Sequence, residues 1–433
     1  MLKAFDTIVA CSTPPGRGAI SVVRIEGKDS IKISEKIVGK NLKNNTQIVN
    51  FPLDIDLFEK CVLTIFKAPK SYTGDNIVEI AAHGNPLLIE KIINVYLSFG
   101  ARLAKPGEFT EKAFLNGKMS IDQSESVINV INANSDMALK AAHNSLKGGL
   151  KEKIIKVQDK LRATRVLVET LIDFSDEDIN IFLKDVENNL RDFRDFCKNF
   201  KEFMVNSHTI SNDVNVAIIG PPNAGKSTLI NAIIGKKVSI VSEIRGTTRD
   251  VVSSSCLLEG IRFNFKDTAG LRKTTHKIER EGVKLSKEAI RLADFVIFLA
   301  ENEKDFKEFP YKNKKNVLFV INKIDVNDFT VSDRVIGVSA KTRKNLSQLK
   351  EVLVGKYLGT HNEELLAVNT RHLNAVKRAY SIINSIKPKL LLTNIELVAE
   401  ELRECDDLLG SIHNPISSDE LLGSIFKNFC IGK

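Results

Sequence analysis

One octapeptide constrains this chain more than any other: "GPPNAGKS", Gly220 to Ser227, set between the apolar run "VNVAII" and the helix-like "STLINAIIG". A strand that ends in a glycine-rich loop and feeds a helix turns successive backbone N–H groups toward one point, where phosphate is the natural occupant. Gly220 and Gly225 permit the tight loop, Lys226 brings positive charge to the β- and γ-phosphates, and Ser227 offers a hydroxyl to Mg²⁺. Three more segments follow in the order that a guanine-nucleotide site requires: "DTAG" at 267–270, "NKID" at 322–325 and "SAK" at 339–341. Asp267 ends a strand and is placed to hold magnesium through water, while the Gly270 amide faces the γ-phosphate. Asp325 offers a carboxylate to the N1–H and N2–H₂ of guanine, donors that adenine lacks, and the Ala340 amide meets the guanine O6. The expected GTP-contacting set is therefore Asn223, Ala224, Gly225, Lys226, Ser227 and Thr228 in the loop, Asp267, Thr268, Ala269 and Gly270 in the second segment, Asn322, Lys323 and Asp325 in the third, and Ser339, Ala340 and Lys341 in the last.

Hydrolysis needs a water-orienting group, and the residue after "DTAG" is Leu271, where Ras-like GTPases carry a glutamine. Two sources of charge stabilisation remain open. Asn223 together with the carbonyl-rich "SEIRGTTRD" segment is suited to a monovalent cation beside the phosphates, and Thr248 in that segment is the natural second Mg²⁺ ligand. Arg245, Arg249 and Arg272 are the alternative charge donors, each also readable as a solvated switch residue.

Apolar strands alternating with helical segments around these motifs predict a parallel sheet covered on both faces, over 212–361. The flanks differ. Residues 1–117 mix β-branched runs with Gly/Pro turns, which predicts a compact α+β domain. Residues 118–211 and 362–433 carry apolar positions at helical spacing, so the simplest architecture is an α/β domain inserted into a helical bundle made of two chain segments. No apolar run is long enough to span a bilayer, and six scattered cysteines without C-x-x-C or zinc spacing fit a reducing cytoplasm. The formal net charge of +9 is compatible with a nucleic-acid partner without establishing one.

Beyond the nucleotide motifs, "TPPGRG", "SYTGDNIVEIAAHGN", "PGEFTEKAFLNGK", "GTTRD" and the terminal "FCIGK" together resemble the tRNA-modification GTPase family known as MnmE or TrmE, over essentially the whole chain. The resemblance implies a multidomain α/β plus α fold. An N-terminal tetrahydrofolate-binding domain also mediates homodimerisation, a discontinuous helical bundle follows, and a Ras-like P-loop GTPase domain is inserted in it. It implies potassium-stimulated GTP hydrolysis accompanied by dimerisation of the G domains. With a flavin-dependent partner, MnmG (GidA), in a heterotetramer-type complex, it implies installation of a carboxymethylaminomethyl-type group on C5 of the wobble uridine, position 34, of certain tRNAs. The one-carbon donor would be a tetrahydrofolate in its 5,10-methylene or 5-formyl form. By motif position, Asn223, Ser242, Ile244 and Thr247 would bind K⁺, and Ser227 and Thr248 would bind Mg²⁺. Ser242, Glu243, Ile244, Arg245, Gly246, Thr247 and Thr248 of the first switch would also contact GTP, Glu279 would orient the catalytic water, and Lys226 would join it in catalysis. Arg24, Glu79, Lys118 and Lys433 match the family's folate-contacting positions. From sequence alone, Arg24, Glu79 and Lys118 also read as surface ion-pair residues.

Cys430 lies three residues from the terminus in "CIGK", which is a poor prenylation signal. A core cysteine beside Phe429 is one reading; the resemblance favours the other, a thiol that acts at the folate pocket. The competing assignment for the whole chain is a ribosome-assembly GTPase of the Era or Der kind, which shares the G-domain motifs and performs no one-carbon chemistry. A scaffold role for the outer domains is a third reading.

Overall fold

A computed structural model describes residues 6–42, 45–173, 179–210, 213–235, 253–267, 290–291, 293–307, 309–310, 316–326, 335–358, 365–414, 419–427 and 429–432. The chain divides into two compact units, 1–128 with 406–433 and 129–405.

The first unit is built on a six-stranded sheet. Its strands are β1 (Ile8–Cys11), β2 (Gly18–Glu26), β3 (Thr46–Asp54), β4 (Leu57–Phe66), β5 (Ile77–Gly84) and β6 (Arg102–Leu103), in the order β3-β4-β5-β2-β1-β6. All neighbours are antiparallel except β1 and β6. The period-two alternation of β3 and β4 sends Val49, Phe51, Cys61, Leu63 and Ile65 to one face. Helices α1 (Ser30–Val38) and α2 (Pro86–Ser98) cover that face, with Ile37, Ile89, Ile92 and Tyr96 in the shared core. Asn85 caps α2 by accepting from the Leu87 amide, and Pro86 occupies the first helical position. Helix α3 (Glu108–Leu115) and the start of α4 (Ile121–Asn132) meet the chain's C-terminal helix (Asp419–Phe426) through Ile121, Leu422, Phe426 and Phe429. The sequence assigns all of 362–433 to the helical segment; in the structure the stretch from Asp406 onward belongs with the N-terminal unit.

The second unit holds the long helices α5 (Asp136–Leu146), α6 (Gly149–Asp173) and α7 (Ile179–Ile210), and an inserted sheet. The sheet order is β12-β11-β10-β7-β9-β8, from β7 (Val214–Ile219), β8 (Ser253–Leu258), β9 (Ile261–Asp267), β10 (Phe295–Ala300), β11 (Val317–Ile321) and β12 (Val335–Gly337). Every pair is parallel except β8 with β9. Beyond the sheet the chain returns to the bundle: Ser145 on α5 donates to the Ala367 carbonyl and accepts from the Ala367 amide. The helix Thr370–Ser385 then lies along α7, where the Lys201 ammonium stands 3.9 Å from the Tyr380 ring centre. Among the described residues no helix is long and apolar enough to cross a membrane.

Candidate functional sites

β7 lies between β9 and β10, so the order of the parallel strands reverses at its carboxyl end, where open α/β sheets bind ligands. The loop after β7 occupies that position. Gly220 has φ 147°, and a Cβ there would collide with the Leu299 carbonyl of β10. Gly225, with φ 90°, leads into α8 (Lys226–Ile234), and a Cβ on it would strike the Asn322 amide nitrogen. Both glycines are therefore required by close approach as well as by backbone angle. Asn223 adopts φ 63°, a left-handed conformation that asparagine tolerates, and its side chain is exposed. Lys226 is 7% exposed, and its Nζ donates to the carbonyls of Gly220 and Pro221 at 3.0 and 2.7 Å, so the cation is held inside the loop's curve. Ser227 and Thr228 are exposed on the first turn of α8.

Three motifs remote in sequence converge on Asn322. Its Nδ2 donates to the Ala224 carbonyl at 2.8 Å, and its Oδ1 accepts from the Ala340 amide at 3.0 Å. Asn322 is 3% exposed, so these bonds are shielded from water. The Ala340 amide, expected to meet the guanine O6, donates to Asn322 here. Lys323, at φ 65°, pairs with Glu301 at 2.5 Å. Asp325 is exposed, and a hydrogen bond from the Ser339 side chain holds its carboxyl below the ordinary value, with Lys341 and Lys344 adding to the effect. An exposed carboxylate is ionised at neutral pH and can accept from two donors. Asp267 ends β9 in register with Ile218 of β7, which brings its backbone beside the phosphate loop.

A second cluster lies in the N-terminal unit. Arg24 on β2 and Glu79 on β5 are direct cross-strand partners. The Arg24 Nε and Nη2 reach Glu79 Oε1 at 2.9 and 2.7 Å, which leaves Oε2 for the donor edge of a ligand. The guanidinium lies 5.7 Å from the Tyr72 ring centre and 5.5 Å from that of Phe109. Burial raises the Tyr72 phenol above its ordinary value, and its hydroxyl meets Thr110 at 2.9 Å. The Gly432 carbonyl accepts from Arg24 Nη1 at 3.3 Å and from Ser12 at 3.0 Å, so the terminal motif reaches this cluster. Lys118 is engaged elsewhere on the same unit, donating to the Pro69 carbonyl at 2.6 Å. Cys430 is exposed, against its reading as a core cysteine; Cys61, Cys197, Cys256 and Cys405 are buried. Tyr72, Phe109 and Ser12 were not anticipated from sequence. An aromatic followed by "TGD" and a serine before "TPPG" were the only local signals.

Ser242, Glu243, Ile244, Arg245, Gly246, Thr247, Thr248, Arg249, Thr268, Ala269, Gly270, Leu271, Arg272, Glu279 and Lys433 lie outside the described residues, as does the Asp267 side chain.

Comparison with known proteins gives two family matches: the GTP-binding protein TrmE N-terminus over residues 7–118, and the MnmE helical domain over 121–430. Curated relatives described as tRNA modification GTPase MnmE, from Francisella tularensis subsp. holarctica and Francisella philomiragia subsp. philomiragia, are each 39% identical over 447 residues, covering 99% of this chain and 99% of theirs. Among solved structures, the G domain of the T. maritima FeoB iron transporter aligns with 34% of this chain and 99% of its own, at 26% identity and a TM-score of 0.26.

Proposed function

Since this chain belongs to the MnmE family of tRNA modification GTPases, we propose that it hydrolyses GTP in the course of modifying tRNA. The observation that carries the GTP reading is the Asn322 side chain, which ties the phosphate loop to the base-binding loop, beside the exposed Asp325 carboxylate. The phosphate loop's amides and Lys226 would hold the β- and γ-phosphates, and Asp325 would read the guanine edge.

In the finer reading, Ser227 and Thr248 hold Mg²⁺, while Asn223, Ser242, Ile244 and Thr247 hold K⁺ beside the phosphates. Glu279 orients the attacking water, which supplies what Leu271 does not. The exposed, oxygen-bearing Asn223 side chain fits a cation ligand. The Arg24–Glu79 cluster, with its two aromatic faces and free carboxylate oxygen, fits a pterin. A tetrahydrofolate there would supply the one-carbon unit. Glu79 would then orient its ring, and Cys430 would act from the terminal motif whose Gly432 carbonyl meets Arg24. The product is a carboxymethylaminomethyl-type group at C5 of uridine 34, made with the flavoprotein MnmG by a homodimer of this chain in the cytoplasm.

GTP turnover in matched KCl and NaCl tests the hydrolytic part. The reading expects clear stimulation by potassium and inertness toward ATP; equal rates in both salts would remove the cation from the mechanism.

A further inference from the structure

The last described residues return to the beginning of the chain. Phe429 is 6% exposed in the apolar cluster with Ile121, Leu422 and Phe426, and forms one anchor. Next, the Gly107 amide approaches the Cys430 carbonyl at 3.4 Å, and Ile431 forms an isolated bridge with Pro106. Gly432, at φ 95°, packs so tightly on Cys11 and Ser12 that a Cβ would overlap the Cys11 carbonyl. Its carbonyl oxygen takes the two hydrogen bonds from Ser12 and Arg24. Arg24 has no slack to give: Glu79 fixes Nε and Nη2, and Tyr72 and Phe109 flank its plane.

Cys430 itself is exposed, so packing of its own side chain does not hold it in place. What holds it is the anchor at Phe429 on one side and the contacts at Gly432 on the other. We propose that Arg24 and Ser12 are positioning residues that latch the Gly432 carbonyl, and so set where the Cys430 thiol stands relative to Glu79. Arg24 then acts on the C-terminal motif through its Nη1 edge. A ligand that uses Glu79 Oε2 leaves Oε1 to Arg24, so the latch stays closed while the site is filled.

The significance for chemistry rests on the one-carbon reading above, but the test does not. Hydrogen–deuterium exchange of the C-terminal peptide is followed in the full-length chain without folate. The variants are Ser12→Ala, Ser12→Thr, and the double change Arg24→Gln with Glu79→Gln, which avoids leaving a lone carboxylate. A trifluoromethyl tag on Cys430, in a Cys11→Ser background, reports the thiol's surroundings by ¹⁹F resonance. Losing a latch bond speeds exchange of that peptide about 10-fold, as expected for a hydrogen bond to a charged or shielded group. It also moves the ¹⁹F signal toward that of the free label, while Ser12→Thr restores both. The proposal is overturned if exchange and resonance stay at wild-type values in both the Ser12→Ala and the double variant. It is equally overturned if every peptide of the N-terminal unit speeds up together with a lowered Tm, since the residues would then support only the sheet. If the latch result holds and 5-formyltetrahydrofolate does not bind, only the ligand reading falls.

Discussion

Replacing Asn322 by alanine removes one side chain that serves two loops. The Ala224 carbonyl loses a donor at 2.8 Å and the Ala340 amide loses an acceptor at 3.0 Å. Ala224 and Ala340 are 0% and 5% exposed, so water does not readily replace either partner while the loops keep their shape. Each unsatisfied buried backbone group costs about 1–3 kcal/mol, which puts the pair at about 2–6 kcal/mol. The loops relax in the free variant to recover water, and nucleotide must then draw them back together. The cost therefore appears mainly as weaker binding, of about 30-fold at the lower end and more than 1,000-fold at the upper. Asn322→Asp keeps an acceptor for Ala340 but sets a carboxylate against the Ala224 carbonyl, so it should be no better than alanine. Titration with a fluorescent GDP analogue, alongside thermal unfolding, separates affinity from stability. Affinity within threefold of wild type for Asn322→Ala would refute the idea that this side chain assembles the site.

Three other perturbations have definite expected outcomes. Asp325→Asn exchanges an acceptor for a donor at the guanine edge, so GTP binding should fall by about 100-fold while xanthosine triphosphate binding improves; competition assays with the two nucleotides decide it. Gly220→Ala places a Cβ on the Leu299 carbonyl in a left-handed backbone, and calorimetry should find no nucleotide binding although the N-terminal unit still melts cooperatively. Burial pushes the Glu26 carboxyl up to about 7 from 4.5, against the pull of Lys112 at 2.6 Å, so the native chain binds that proton more tightly than the unfolded chain does. Its contribution is fully present below about pH 4.5 and is lost as pH rises toward 7; Glu26→Gln should flatten this decline in urea melts across the same window.

The nucleotide site was legible because its determinants are local. A glycine forced by φ, a lysine one residue on and an aspartate in a four-residue motif keep their meaning without knowledge of distant contacts. Even so, the double role of Asn322 needed the structure, because the motif identifies an asparagine near guanine but not the carbonyl and amide it joins. The N-terminal cluster was legible only through resemblance. Arg24 and Glu79 are 55 residues apart, and nothing in either strand announces that they lie opposite each other. Least legible was the return of the C-terminus, since the bonds from Ser12 and Arg24 to Gly432 span 420 and 408 residues. Helical periodicity over 362–433 marks helices correctly but does not say which core receives them, and the last of them, Asp419–Phe426, joins the N-terminal unit.

The central claim is that GTP turnover at this loop serves the modification of tRNA. Its most direct test is mass spectrometry of nucleosides from the tRNA of cells lacking this protein, complemented with the wild-type chain or with Lys226→Ala. The account predicts that the C5-modified wobble uridine disappears with the gene, returns with the wild type and does not return with Lys226→Ala. An unchanged nucleoside profile in cells without the protein would contradict it.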